Sequence, residues 1–165
     1  MRVLETDRLR LRPFEQLDLN HVAKWHNDLA AAREFLDYCA REYRQRGIGP
    51  WAMVLKLSDQ IAGHCGFPHV DFKHHIGEVN YYVALHHRGN HLATEALRAI
   101  LRFGFAELGF HRIQGRCETD NVASERVLQK SRMRFEKIVP SSGNGGSLSS
   151  KLYCIDDGGH TSLSS

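Results

Sequence analysis

The stretch covering residues 78–108 constrains the fold of this 165-residue chain more than any other. Residues 78–85 alternate as in a strand with one buried face, and a short polar loop follows them. Helical spacing then relates Ala93, Leu97, Ile100, Leu101, Gly104, Phe105 and Leu108. A strand, a loop and a helix in this order place unpaired N–H groups of the helix N-terminus at the loop. Such groups stabilise an anion, commonly a phosphate.

Size, charge and cysteine content limit the classes of function. The chain is long enough for one domain, which we expect over residues 1–155, with a flexible Ser/Gly-rich loop at 141–149 and a disordered tail at 156–165. The net charge of +3 comes from interspersed basic and acidic residues, which disfavours nucleic-acid binding. No apolar run reaches the ~18–20 residues that span a bilayer. Four dispersed cysteines without a Cys-x-x-Cys pair indicate reduced, buried thiols. We therefore expect a soluble, cytoplasmic protein that contacts no membrane.

The remaining patterns predict an α/β domain with the element order β-α-α-β-β-β-α-β-α-β-β. A strand at 8–13 precedes two helices within 17–46, and a hairpin of strands at 51–56 and 61–67 follows. Residues 68–75 are predicted to form a loop that leads into the central strand. After the long helix we expect a strand at 112–118, a short helix at 121–130, and strands near 133–139 and 151–155.

Six short blocks, in this order, resemble the GCN5-related N-acetyltransferase (GNAT) family, in particular its ribosomal-protein N-terminal acetyltransferases. They are LETDRL at 4–9, WA at 51–52, IAGHCG at 61–66, RGNHLATEA at 88–96, LGFHRI at 108–113 and NVAS at 121–124. The resemblance covers roughly residues 3–139. It implies a mixed, mostly antiparallel central sheet flanked by helices, and acetyl-CoA as a co-substrate.

The resemblance also assigns residues to the acyl-CoA site. In the family, the central strand pairs with the pantetheine amides and the loop N–H groups hold the pyrophosphate. Here the strand residues are Val83, Ala84 and Leu85, and the loop residues are Arg88, Gly89, Asn90, His91, Leu92 and Ala93. Asn121 and Ser124 would face the pantetheine arm from the next helix. Asn121 is also a favourable helix cap, and both roles are compatible.

The sequence departs from the family pattern at several positions. The loop pattern (Gln/Arg)-x-x-Gly-x-(Gly/Ala) places its conserved positions on His86, Gly89 and His91, of which only Gly89 fits. The imidazole of His91 either crowds the cofactor or, when protonated, adds a donor and a charge. Arg132 stands where the family has a glycine suited to a left-handed helix cap. A tyrosine that acts as general acid in many relatives is replaced by Leu128.

Amine acylation suggests candidates for proton transfer. A protein α-amine with a pKa near ~8 is partly neutral at physiological pH, so it needs only a weak base or a water relay. Glu78 is the candidate base, with Asn80 and Tyr82 on the same strand face, although a solvated or ion-paired strand residue explains Glu78 equally well. Tyr82 and Ser131 are weaker candidates for the proton donor.

Two other functions compete with this interpretation. Eleven histidines invite a metal site, but neither His-Glu-x-x-His nor Cys-x-x-Cys occurs, so we expect no metal. The altered loop allows a degenerate binding module that binds CoA weakly or not at all. A nucleotide-triphosphate loop is disfavoured because the Lys-(Ser/Thr) pair of that motif is absent. The expected partners are acetyl-CoA and an amine acceptor, which includes protein N-termini, in a monomer or homodimer.

Overall fold

The computed structural model describes residues 2–140 and 149–158, and the family-implied architecture is confirmed. The elements in chain order are β1 (Leu4–Glu5), β2 (Leu9–Pro13), α1 (Leu19–His26), α2 (Leu29–Arg46), β3 (Pro50–Leu55), β4 (Ile61–Asp71), β5 (Ile76–Val83), α3 (Leu92–Ala106), β6 (Arg112–Glu118), α4 (Val122–Lys130), β7 (Arg134–Pro140) and β8 (Ser149–Asp156). Short 3-10 turns lie at Gln16–Asp18 and Leu85–His87. No helix in these two ranges has both the length and the apolar character to cross a membrane.

One mixed sheet runs through the molecule in the order β1-β2-β3-β4-β5-β6-β8-β7. Only β5 and β6 are parallel, and the other neighbours are antiparallel. The parallel pairing begins at Ile76–Arg112 and ends at Val79–Gly115. Beyond this point the two strands separate, so the edge of β5 from residue 80 onward has no partner in β6.

Helices cover the two faces of the sheet and bury separate clusters. Helix α3 packs on one face, where its apolar stripe meets residues such as Phe67, Val79 and Ile113. Gly104 allows this close approach, because a Cβ there would lie 2.7 Å from Ile113 Cδ1. Helices α1 and α2 cover the other face over a second cluster that includes Leu36. The four cysteines are free and buried, as the sequence indicated.

Several predicted boundaries were wrong. The first half of the loop expected at 68–75 is strand, because β4 continues to Asp71 through an irregularity in its pairing with β5 between Gly66 and His69. That irregularity interrupts the alternation from which a strand is recognised. The central strand begins at Ile76 and ends at Val83, and the short strand β1 was not predicted.

The C-terminal boundaries shift as well. Ser149 and Asp156 belong to β8, although the sequence placed them in the flexible loop and in the tail. The rest of the predicted loop, residues 141–148, and residues 159–165 of the predicted tail lie outside the described residues.

Candidate active site

The loop between β5 and α3 presents a run of unpaired backbone donors. Within the described residues, no group accepts a hydrogen bond from the N–H groups of residues 89–94. Gly89 has a φ of 80° and His91 a φ of 60°, so the chain turns through two left-handed residues before α3 begins at Leu92. The side chain of Asn90 donates to the carbonyls of His87 and Arg88, at 3.3 Å each, and holds this turn. Free N–H groups at the start of a 15-residue helix form an anion-binding site.

A cavity of about 450 Å³ lies between this loop, the free edge of β5 and helix α4. It is lined by Tyr81, Tyr82, Val83, His87, Arg88, Gly89, His91, Leu92, Ala93, Thr94, Asn121, Ala123, Ser124, Arg126, Val127 and Lys130. The lining contains Arg88, Arg126 and Lys130 but no aspartate or glutamate among the residues that the structure describes. Its electrostatic character therefore suits a polyanion.

Most of the residues that the family resemblance assigned to the cofactor meet at this cavity, and three do not: Ala84, Leu85 and Asn90, whose side chain turns back onto the loop carbonyls. Val83, Arg88, Gly89, His91, Leu92, Ala93, Asn121 and Ser124 line it. Ala84 and Leu85 do not, because β5 has already ended. The N–H of Ala84 donates to the carbonyl of Ala62, and Leu85 is exposed at the start of the 3-10 turn. The alternating pattern predicted a strand as far as residue 85 because Leu85 is apolar, as expected at a buried strand position, although it is exposed here.

The replacement of glycine by His91 places an imidazole on the rim of the cavity. His91 is exposed, and its Nδ1 lies 3.5 Å from Nζ of Lys130 at the end of α4. An ammonium group can only donate, so Nδ1 acts as the acceptor and Nε2 carries the proton. The ring therefore presents a donor away from Lys130.

Helix α4 forms the opposite wall of the cavity. Oδ1 of Asn121 accepts a hydrogen bond from the N–H of Ser124 at 3.0 Å, so the capping role is present and Asn121 also lines the cavity. The hydroxyl of Tyr81 reaches across from β5 and lies 2.7 Å from Oγ of Ser124 and 3.0 Å from its carbonyl oxygen. Burial raises the pKa of Tyr81, and the hydrogen bond with Ser124 offsets only part of this effect.

Seven lining residues were not predicted as site residues: Tyr81, His87, Thr94, Ala123, Arg126, Val127 and Lys130. The basic residues Arg126 and Lys130 could have been found from the family-like block that begins at Asn121. They belong to the helix that this block starts, and their spacing of four residues puts them on one face of it. Tyr81 had no such signal. Its partner Ser124 is 43 residues away in sequence, so only the folded chain brings the two together.

A smaller cavity of about 260 Å³ contains the candidate base. Glu78 lines it together with Arg46, His69, Val70, Asp71, Ile76 and Gln114. Because Val79 packs under α3, alternation directs Glu78 to the face that carries α2. The carboxylate accepts from Nε2 of Gln114 at 3.4 Å and lies 3.5 Å from Nε of Arg116. Glu78 is thus a half-buried, oriented carboxylate beside the point where β5 and β6 separate.

The two candidate proton donors have different surroundings. Tyr82 lies in an aromatic cluster, with its ring centroid 5.5 Å from that of Trp25 and 5.9 Å from that of His64. Ser131 is fully buried at the end of α4 and lines neither cavity, because its side chain turns into the interior. This placement does not support a role of Ser131 as proton donor.

Within the described part of the chain, no cluster of three or more histidine, cysteine, aspartate or glutamate side chains has the geometry of a metal site. The loop histidines are spread along a turn, and His74 instead contacts the carboxylate of Asp71.

The fold and the cavity define an α/β domain whose anion-binding loop adjoins a pair of parallel strands that separate. Residues 8–134 match the family model described as an acetyltransferase (GNAT) domain, and the chain belongs to this family. It is 29% identical over 150 residues to a Bacillus subtilis protein named uncharacterized N-acetyltransferase YnaD, covering 83% of this chain and 88% of the relative.

Solved structures share the fold. A GNAT-family acetyltransferase from Bacillus anthracis superposes with a TM-score of 0.82 at 24% identity, covering 95% of this chain and 99% of that one. RimJ of Mycobacterium smegmatis, solved in complex with CoA-disulfide, superposes with a TM-score of 0.81 at 20% identity, covering 94% and 87%.

Proposed function

We propose that the protein is an acetyl-CoA-dependent N-acetyltransferase that moves an acetyl group to a primary amine by direct attack. One observation carries this proposal: the unpaired N–H groups of residues 89–94 lie directly beside the free edge of β5. This arrangement offers a phosphate site and an amide-pairing edge in one cavity. Acetyl-CoA, with a diphosphate and two amides in its pantetheine arm, matches both. The chemistry it supplies is an activated thioester.

The loop and α4 would bind the phosphates. The free N–H groups and the partial positive charge of the α3 terminus attract an anion, and Arg126 and Lys130 add full charges from α4. The Nε2–H of His91 adds a donor on the same rim. The donors belong to a short turn and to helix ends, so little reorganisation is needed on binding.

The free edge of β5 would hold the pantetheine arm. The N–H of Ala84 points to β4, so the polar groups of Tyr82 and Ala84 face β4 and those of Tyr81 and Val83 face the open side. The carbonyl of Val83 accepts from Nε of Arg88 at 3.0 Å. An incoming amide donor at this carbonyl would free the Arg88 guanidinium for the phosphates.

The amine would approach from the face that carries α2. The pairing of β5 with β6 ends at Val79, so the carboxylate of Glu78 lies next to the point where the strands part. Gln114 and Arg116 orient this carboxylate, which then accepts the proton of the attacking amine directly or through water. Since an α-amine is already partly neutral near pH 7, the required base is weak.

The acceptor cavity carries only a small excess of negative charge. Of its two carboxylates, Asp71 and Glu78, one is offset by the guanidinium of Arg46. A polycationic amine would favour a cavity with a strong excess of carboxylates. The small excess therefore favours an acceptor with one reactive amine beside polar neutral groups, as in a protein N-terminus, over a polyamine.

Isothermal titration with acetyl-CoA and a thiol-release assay against a panel of amines test the proposal. The panel contains N-terminal peptides, free amino acids and polyamines. We expect saturable acetyl-CoA binding and turnover that is highest with α-amines. The absence of heat at millimolar acetyl-CoA would instead favour the alternative of a degenerate binding module.

The variant Glu78→Gln tests the candidate base. We expect kcat to fall on the order of 10²-fold or more while the Kd for CoA stays the same, because Glu78 lies outside the cofactor cavity. Asp71→Asn is the matched control, since its carboxylate lines the same cavity but contacts His74. An equal loss of kcat in both variants would show that cavity charge, and not proton transfer at Glu78, matters.

A further inference from the structure

The leaving thiolate of the proposed reaction needs a proton, and the expected donor position is apolar. Leu128 stands on α4 where many relatives have a tyrosine, and its side chain is fully buried. A Cβ on Gly115 would lie 3.0 Å from Cδ2 of Leu128 and 3.1 Å from Cγ2 of Val79. Both hydrocarbon side chains therefore lie over Gly115, where β5 and β6 part, and Leu128 offers no hydroxyl there.

Two hydroxyl groups, those of Tyr81 and Ser124, lie next to this hydrocarbon contact on the side of the cofactor cavity. Tyr81 is two residues beyond Val79 on the same face of β5, and Ser124 is one helical turn before Leu128 on α4. The hydroxyl of Tyr81 lies 2.7 Å from Oγ of Ser124, and both residues line the cofactor cavity. The pair spans the cleft from strand to helix at its inner end, while the phosphate-binding donors lie at its outer end.

We propose that Tyr81 donates the proton to the departing thiolate and that Ser124 is a positioning residue that orients the phenol. This inference rests on the proposed function, because it needs a pantetheine arm along β5. The arm would run from Val83 towards Tyr81, so its sulfur end meets the hydroxyl pair. The phenol of Tyr81, which projects from β5, would thus act as the proton donor in place of a tyrosine on α4.

The proton and electron balance is complete. When the tetrahedral intermediate collapses, the C–S bond breaks and its electron pair remains on sulfur. The phenolic O–H of Tyr81 gives its proton to sulfur and forms the thiol. The phenolate regains a proton from water, which replaces the proton that the amine released on the Glu78 side. Burial raises the pKa of Tyr81, so the phenol is protonated at neutral pH before each turnover.

A titration of bound CoA tests this without any acceptor. Thiolate absorbance near 240 nm is followed against pH for CoA bound to the wild type, Tyr81→Phe and Ser124→Ala, with desulfo-CoA as the blank. The protein's own thiols interfere little, since burial raises the pKa of Cys39 to about 12 and also raises the pKa values of the other three. A donor to the thiolate lowers the pKa of the CoA thiol. We expect this pKa to be about one unit higher in Tyr81→Phe than in the wild type, with a smaller rise in Ser124→Ala.

Kinetics with an amine found in the panel provide the second readout. We expect kcat of Tyr81→Phe to fall on the order of 10²-fold, with KM for acetyl-CoA within about threefold of the wild type. Fluorinated tyrosines at position 81 should then change kcat with the acidity of the phenol, which a purely structural hydroxyl would not do. Tyr43→Phe is the matched control, because the hydroxyl of Tyr43 also donates to a backbone carbonyl, that of Pro50, but lines neither cavity.

The outcomes separate the two proposals. Unchanged thiol titration together with kcat within threefold in Tyr81→Phe overturns the role of Tyr81 and leaves the proposed function intact. If the wild type binds no CoA at all, the proposed function fails, and this inference fails with it.

Discussion

The substitution His91→Gly should raise the stability of the free protein and lower its affinity for CoA. His91 has a φ of 60°, and its side chain is exposed. A Cβ in the left-handed region costs roughly 1–2 kcal/mol, while the extra freedom of glycine in the unfolded chain takes back about 0.4–1 kcal/mol. At the midpoints of these two ranges the net gain is about 0.8 kcal/mol. In a domain of this size it corresponds to a Tm higher by about 1–4 °C.

The predicted loss of affinity follows from the orientation of the ring. Nδ1 faces Nζ of Lys130 at 3.5 Å, so Nε2–H is left to donate towards the phosphates. Removing one such hydrogen bond costs about 0.5–1.5 kcal/mol, which is a roughly 2- to 12-fold rise in Kd. The effect should vanish for acetyl-pantetheine, which has no diphosphate.

Thermal unfolding and isothermal titration measure the two effects. Asn90→Gly is the control, because Asn90 is the adjacent loop residue but has no positive φ, so glycine there should destabilise the protein. Equal Tm changes in both variants would refute the conformational reasoning. Tighter CoA binding by His91→Gly would show that the imidazole crowds the diphosphate instead of donating to it.

Three further predictions concern stability, pH and metal. Arg132 also has a positive φ, 64°, so Arg132→Gly should raise the free energy of unfolding in urea by about 0.5–1 kcal/mol, and Arg132→Ala should not. Burial raises the pKa of Glu95, but hydrogen bonds from Thr6 and Arg8 lower it further, below the ordinary 4.5. The ionised carboxylate of Glu95 therefore stabilises the fold fully above pH 4.5, and this stabilisation is lost as the pH falls through the lowered pKa. The difference in the free energy of unfolding between wild type and Glu95→Gln should accordingly shrink in acid. The exposed Glu118→Gln is the control. Elemental analysis of tag-free protein should find no stoichiometric metal, and one zinc per chain would contradict this.

The local parts of the fold and of the site were predictable. The helix after the loop, the cap at Asn121 and the left-handed Arg132 each depend on a few neighbouring residues. Backbone geometry relates such residues directly, so periodicity and residue type suffice. The same reasoning failed at β4, where an irregular pairing hid the end of the strand, and at Ala84, where alternation continued past it.

The sequence by itself determined the order of the elements from β2 onward, the anion-binding loop and the positions that depart from the family pattern, since these are set by contacts a few residues apart. Only the tertiary structure decided that Tyr81 and Ser124 share a hydrogen bond across the cleft and that Ser131 is buried away from it. It also decided that Glu78 lies in a cavity separate from the one that the loop lines. Such placements depend on how distant strands and helices pack, and packing is a property of the whole chain that no local pattern records.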